Sequence, residues 1–277
     1  MKRILIVDDD RATRHLVRSF LEKARYLVDE AENGAAGLEK IAAGKYDLVL
    51  LDVWMPEMTG LDMLNHLRQR RAAPRAIIMT TDETPETVLR AVREQAYLYV
   101  RKPVERQHLL DVVAEGLARR RKPRPIEVVS ARPNWVELLV PCEREAATRI
   151  QSFLMQLKGD LPESVRQSVG QAFHELLLNT IEWGGKFNPR RKVRIAYVRT
   201  ERLLIYRIAD PGQGFRFEDL VHSALANPDE EPFRHTEVRE QKGLRPGGFG
   251  LLMTKAMVDE LVYNEKQNEV LFVKYLT

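Results

Sequence analysis

"DLVLLDVWMPEMTG", residues 47–60, decides the fold of the N-terminal half of this chain. Four consecutive apolar residues, Leu48 to Leu51, end abruptly at Asp52, and Pro56 and Gly60 punctuate a loop before a helical pattern sets in over 60–70. A short, unbroken apolar run of this kind suits a strand buried on both faces. The same unit recurs on either side. "RILIV" (3–7), "YLVDEA" (26–31), "AIIMT" (76–80) and "YLYV" (97–100) read as strands, and 11–23, 33–43, 86–95 and 104–118 as helices. Five successive βα units predict an α/β domain, a doubly wound parallel five-stranded sheet whose ligand site lies at the carboxyl ends of the strands.

The polar residues at those ends are Asp8, Asp9 and Asp10 after the first strand and Asp52 after the third. Carboxylates a few Å apart repel by roughly 1–4 kcal/mol per pair at effective dielectrics of 20–80, and an all-oxygen cluster suits Mg²⁺. Taken singly, Asp8 to Asp10 could equally cap the first helix, and Thr80 could merely end a strand. With Thr80 closing the fourth strand and Lys102 the fifth, however, carboxylate, metal, hydroxyl and ammonium together make a receptor for a phosphoryl group.

The segments "ILIVDDD", "LVLLDVWMPEMTG", "IIMTT" and "YLYVRKP" closely resemble the receiver domain of two-component response regulators, over about residues 1–120. The resemblance implies a flavodoxin-like fold with Asp52 as the nucleophile that accepts phosphate from a histidine kinase. Asp8, Asp9 and the Trp54 carbonyl would help hold Mg²⁺, Lys102 would pair with the phosphoryl oxygen, and Thr80 and Tyr99 would be the switch residues. Thr81 departs from the pattern, since receivers usually carry a small residue there.

A basic, proline-interrupted run, "RRRKPRP" (119–125), reads as an exposed linker, which divides the chain into 1–118, 119–125 and 126–277. Beyond it, strands at 126–131, 134–140, 192–199, 203–209, 261–265 and 268–275 surround helices at 143–157, 163–183 and 249–260, with a Gly/Pro-rich irregular stretch at 211–248. Helices grouped against a mostly antiparallel sheet predict an α+β sandwich.

Within this half, "HELLLNTIEWGG" (174–185) sets Glu175 and Asn179 four apart, on one face of a leucine-rich helix. Asn179 offers a carbonyl oxygen to a metal. "IADPGQGF" (208–215) puts Asp210 directly after a strand, where a carboxylate can accept from an exocyclic amine, with Gly212 and Gly214 behind it. "RPGGFGLLMTKAMVDEL" (245–261) sets Gly247, Gly248 and Gly250 before a helix whose free amides suit phosphate. Each block alone has a plain alternative as turn or polar helix face. In order, they resemble the N, G1 and G2 boxes of the ATPase fold shared by histidine kinases, Hsp90, gyrase and MutL (the GHKL or Bergerat fold). Within it they look most like the serine kinases that act as anti-sigma factors. That resemblance implies Asn179 on Mg²⁺, Asp210 reading adenine, Gly212, Gly214, Gly248 and Gly250 shaping an ATP pocket, Arg245 at the γ-phosphate, and Glu175 as base. Trp183 stands where that branch often has histidine and is expected to affect packing. His174 is offset about 100° around the helix from Glu175 and reads as packing or surface. No upstream helical hairpin supplies the acceptor histidine of a histidine kinase.

The rest of the sequence bounds these readings. The 277 residues, 44% hydrophobic, suit two domains. One cysteine, Cys142, excludes an internal disulfide, and the charged start runs directly into "ILIV" without a signal-peptide core, so a cytoplasmic protein is expected. No apolar run spans a bilayer. A net charge of +4 with acidic residues dispersed, and no helix-turn-helix or zinc-ligand pattern, argues against direct DNA binding. The expected protein is a response regulator, phosphorylated at Asp52, controlling an ATP-binding serine/threonine kinase output of the anti-sigma type. The rivals are a module that binds ATP but only sequesters its partner, and a histidine-kinase-like domain acting in trans. The expected partners are a cognate histidine kinase and an antagonist or sigma factor, and a homodimer is compatible with either reading.

Overall fold

The computed structural model describes residues 1–70, 73–82, 84–118, 124–132, 134–157, 161–216, 223, 231, 233–241 and 249–276. The chain divides into two compact units, Met1–Pro123 and Arg124–Thr277.

In the first unit, strands β1 (Arg3–Val7), β2 (Leu27–Ala31), β3 (Leu48–Leu51), β4 (Arg75–Thr80) and β5 (Leu98–Arg101) form a sheet of order β2-β1-β3-β4-β5. Every pairing is parallel. Helices α1 (Arg11–Lys23), α2 (Gly34–Ala43), α3 (Gly60–Arg68), α4 (Pro85–Arg93) and α5 (Arg106–Ala118) connect the strands. Alternation along each strand sends Ile4, Ile6, Leu48 and Leu50 into a cluster with Val17 and Leu21 of α1 and with Leu109 and Val113 of α5. The intervening Leu5, Val7, Val49 and Leu51 are equally buried on the other face. A fully buried side chain of this size contributes roughly 1.5–3 kcal/mol, so covering both faces explains the unbroken apolar runs. Asp10 caps α1, accepting from the amides of Ala12 and Thr13.

The second unit carries one six-stranded, wholly antiparallel sheet of order β10-β11-β9-β8-β7-β6. Its strands are β6 (Glu127–Arg132), β7 (Trp135–Pro141), β8 (Lys192–Arg199), β9 (Leu203–Ala209), β10 (Glu260–Tyr263) and β11 (Glu269–Tyr275). Of helices α6 (Arg144–Gln156), α7 (Glu163–Asn179) and α9 (Gly250–Met257), α7 packs against both α6 and α9, and α6 and α7 lie on the sheet. Between them Tyr206 stacks on Phe272 at 4.8 Å and meets Phe173 and Tyr197 at 5.3 and 5.0 Å.

Two elements differ from the sequence reading. The helix expected over 163–183 is α-helical only to Asn179 and continues as a π-helix, Thr180–Gly184. The stretch expected to be irregular over 211–248 contains α8 (Arg234–Gln241). Its sequence, RHTEVREQ, has no apolar stripe to announce a helix. Among the described residues, no helix is long and apolar enough to cross a membrane.

Candidate functional site

The parallel register sets Val7 beside Leu51, so Asp8 and Asp52 emerge level, at the point where strand order reverses. Oxygens of Asp8, Asp9 and Asp52 all lie within 4.8 Å of one another. Lys102 bridges the two buried carboxylates, its Nζ 2.7 Å from Asp8 Oδ2 and 2.9 Å from Asp52 Oδ2. Burial pushes the Asp8 carboxyl up, and the Lys102 ammonium only partly offsets it. Burial pulls Lys102 down, but its bonds to both carboxylates outweigh this and hold it above its ordinary value. Two buried carboxylates and an exposed third around one ammonium are an oxygen-rich, net-anionic cup, and the donor set fits Mg²⁺. Asp9 is the exposed member. Asp10, one residue on, turns away to its capping bonds.

Thr80 is fully buried, and its Oγ1 accepts the Asp82 amide at 3.2 Å. Asp82, which had no role in the sequence reading, joins the surrounding parts. Its carboxylate accepts from Trp54 Nε1 at 2.9 Å and from Thr87 Oγ1 of α4 at 2.7 Å, and its carbonyl from the buried Tyr99 hydroxyl. Gly60, read from the sequence only as loop punctuation, also has a packing role. A Cβ there would meet the Asp52 carbonyl carbon at 2.9 Å, so α3 can begin there only at a residue without a side chain.

In the second unit, the sequence-predicted residues Glu175, Asn179, Asp210, Gly212, Gly214 and Gly250 line one cavity of ≈ 850 Å³. That is within the usual size range of a small-molecule site, about 300–1,000 Å³. Asp210 is half-buried after β9. Burial raises its carboxyl, opposed by the Gly212 amide, which donates to Oδ1 at 2.6 Å. Gly250 opens α9 directly against Glu175, and a Cβ there would come 2.6 Å from Oε2. Among the described residues the amides at the start of α9 have no side-chain cap, so this wall offers donors beside a carboxylate. The aspartate at the cavity floor and uncapped amides at its other wall fit an adenine nucleotide by donor chemistry.

The glycines expected to admit a ligand also answer to close approaches within the chain. Gly214 adopts φ +86, and a Cβ there would meet the carbonyl carbon of Lys266 at 2.7 Å. Gly212 packs on Asp210 and Gly184. The end of the π-helix and its cap supply two residues that the sequence reading passed over. A Cβ at Gly184 would lie 2.5 Å from the Asp210 Cβ, and one at Gly185 would lie 2.6 Å from the Cys142 Cβ. Asn268 also supports the floor: its carbonyl accepts the Asp210 amide at 2.9 Å, and its side chain donates to the Gly212 carbonyl at 3.3 Å. Trp183, expected to serve packing, is 46% exposed and lines the cavity. His174 is not among the lining residues. Arg245, Gly247 and Gly248 lie outside the described residues.

Comparison with known proteins separates the two units. Residues 4–114 match the response regulator receiver domain family. Chemotaxis protein CheY of Halobacterium salinarum is 31% identical over 116 residues, 42% of this chain and 97% of that protein. This chain belongs to the response-regulator receiver family. The receiver also resembles the transcriptional regulatory protein ResD of Bacillus subtilis, 42% identical over 84 residues, but there the match covers 30% of this chain and only 34% of ResD. For the regulator NtrC of Rhizobium meliloti the covered share of the relative is 26%. Among solved structures, the response regulator protein TrrA from Thermotoga maritima in complex with Mg²⁺-BeF is 35% identical. That match covers 42% of this chain and 100% of that one, with a TM-score of 0.40. Residues 140–274 match the histidine kinase-like ATPase domain family. The chain is therefore a receiver joined to a histidine-kinase-like ATPase domain.

Proposed function

We propose that this protein is a phosphorylation-controlled regulator whose output is a serine/threonine protein kinase of the anti-sigma type. In the receiver, Asp52 takes a phosphoryl group from a cognate histidine kinase. The incoming phosphorus bonds to a carboxylate oxygen while the donor nitrogen leaves, and Lys102 neutralises the charge gathered there. Asp8, Asp9 and Asp52 would hold Mg²⁺, which would draw charge from the phosphoryl oxygens. Thr80 is the hydroxyl placed to follow the phosphoryl oxygen, and its bond to the Asp82 amide is the one such a movement gives up. Asp82 ties that loop to α4 and Tyr99, so phosphorylation favours a second arrangement of these elements by the difference in interaction energy between the two.

In the ATPase unit, Asp210 would accept from the adenine amine, Asn179 would ligate Mg²⁺, and the glycine turns with the start of α9 would cradle the phosphates. ATP bound there supplies the phosphoryl group. The observation that carries the transfer step is the position of Glu175, one turn before Asn179 with its carboxylate against the start of α9. A serine hydroxyl of the partner gives its proton to Glu175 as its oxygen bonds to the γ-phosphorus and ADP departs.

The test is incubation of the protein with labelled ATP and candidate antagonists, followed by acid. Phosphoserine survives acid treatment, and phosphohistidine does not. Acid-stable label that falls about 10²–10⁴-fold in Glu175→Gln, with nucleotide affinity held within a few-fold, supports the assignment. Equal transfer by the variant overturns the role of Glu175. Partner binding that depends on ATP without any transfer replaces the kinase reading with sequestration.

A further inference from the structure

The described end of the basic linker run, Arg124 and Pro125, lines neither site, and its position is informative. Arg124, its last described arginine, is anchored twice. Its carbonyl accepts from Nη1 of Arg149 on α6 at 2.9 Å, and Arg149 is 1% exposed. Its own guanidinium donates to the Pro189 carbonyl at 3.3 Å.

Pro189 belongs to "GKFNPRRK" (185–192), the loop that leaves the π-helix. That loop is firmly built. Phe187 donates to the Ile181 carbonyl at 3.1 Å, Asn188 to Gly185 at 3.0 Å, Arg191 to Asn188 at 2.9 Å, and Cys142 to Arg191 at 3.0 Å. Lys186 and Phe187 are held at φ 54 and 48, a region non-glycine residues seldom adopt. The start of α6 adds Arg144, whose guanidinium lies 4.9 Å from the Phe187 ring centre.

Two basic segments far apart in sequence thus converge at one mouth of the nucleotide cavity. Lys186 and Arg191 border that cavity. Arg124, Arg144, Lys186, Arg190 and Arg191 have no ion pair among the described residues, whereas the neighbouring Lys192 and Arg194 are paired with Glu127 and Glu137 at 2.5 and 2.6 Å. With no ion pair of their own, these cations leave a positive surface on an ordered loop and helix start, and such a surface favours an anionic partner. Beside it, Trp183 and Phe187 are 46% and 37% exposed. Exposed Trp and Arg side by side are the residue types that dominate protein-binding energetics.

We propose that this rim docks an acidic segment of the protein on which the ATPase unit acts, a proposal that rests on the protein-kinase reading for the partner's identity alone. A nucleic acid is the poorer match. A duplex presents a charge about every 1.7 Å along its axis and favours a long basic stripe, whereas these cations gather at one cavity mouth.

The probe is a fluorescein-labelled peptide of about ten glutamates, which extended spans roughly 35 Å, or about three Debye lengths at 0.1 M salt, titrated with the full chain and followed by anisotropy. The glutamate peptide binds, a glutamine peptide of equal length does not, and affinity falls as salt is raised. The double variant Arg144→Glu/Arg190→Glu, neither of whose positions borders the cavity, weakens peptide binding about tenfold or more while binding of a fluorescent ATP analogue stays unchanged. Arg144→Gln/Arg190→Gln gives an intermediate loss and provides the measurement if charge reversal unfolds the unit. Peptide affinity untouched by either pair overturns the proposal, as does a labelled DNA duplex that binds more tightly and displaces the peptide through the same residues. Peptide docking without serine transfer would leave the surface standing and remove the kinase reading. Serine transfer at unchanged KM in the charge-reversed protein would do the opposite.

Discussion

Gly184→Ala tests how the nucleotide pocket is built. The added methyl carbon would sit 2.5 Å from the Asp210 Cβ and closer still to the carboxylate, well inside the 3.4–4 Å of ordinary van der Waals contact. The helix cannot yield, because the next residue, Gly185, is packed against Cys142 and the Ile181 carbonyl. Asp210 must therefore move by about 1 Å, enough overlap to count as overpacking at about 1–3 kcal/mol. That movement breaks the 2.6 Å bond from the Gly212 amide. A hydrogen bond to a charged group contributes about 1.5–3 kcal/mol. If that bond's orienting effect is lost from nucleotide binding, affinity falls about tenfold to a hundredfold. Titration with a fluorescent ADP analogue measures this, with Gly170→Ala as the comparison. There the new carbon meets the flexible Met155 side chain, away from the cavity, and the expected affinity is that of wild type. Affinity in Gly184→Ala within twofold of wild type, with the fold intact by circular dichroism, would refute the coupling between the π-helix and Asp210.

Other outcomes follow from the same geometry. Asp52→Asn should abolish labelling by a small phosphodonor in Mg²⁺ while leaving the affinity of the ATPase unit for nucleotide unchanged, and label that persists would remove the acceptor assignment. Asp210→Asn can keep the bond from Gly212 through its carbonyl oxygen but turns an amide donor toward the adenine amine, so ADP affinity should drop about tenfold to a hundredfold. Asp8 is held above the ordinary carboxylate range by burial. Its ionised form is therefore disfavoured by folding, and the destabilisation it causes is present at neutral pH and fades as pH falls through the raised pKa. Without Mg²⁺, Asp8→Asn should raise the receiver's thermal midpoint at pH about 7 and bring it level with wild type under acid conditions, about pH 4, near the unperturbed carboxylate pKa. A lower midpoint at neutral pH would show that the bond from Lys102 dominates instead.

The receiver was legible because its function and its fold use the same signal. Apolar runs end in Asp8, Asp52, Thr80 and Lys102, so finding the strands also finds the site. Asp82 was not legible, since its role depends on Trp54 arriving from the loop after β3 and Tyr99 from β5, and nothing local distinguishes it from a turn aspartate. In the second unit, Glu175, Asn179 and Asp210 could be read from helical and strand-end spacing. The departure at Thr180 could not, because a π turn needs no sequence signal stronger than a helix about to end. That one-residue change in winding places Gly184 and Gly185 against Asp210 and Cys142 and leaves Trp183 facing the cavity. The helix α8 escaped notice for the opposite reason: a polar helix carries no hydrophobic period to detect.

The only thiol of the chain is walled in behind the pocket, fully buried against Gly185, with burial and the nearby Asp210 pushing it up to about 11. So few thiolates form near neutral pH that maleimide dyes will pass it by. Any cysteine introduced at an exposed position then becomes the sole reactive handle, with no need to mutate the native one and disturb the floor of the pocket. A dye pair, one on each unit, would turn this protein into a ruler for its own signalling, with energy transfer reporting the separation of receiver and output as phosphate is added and lost.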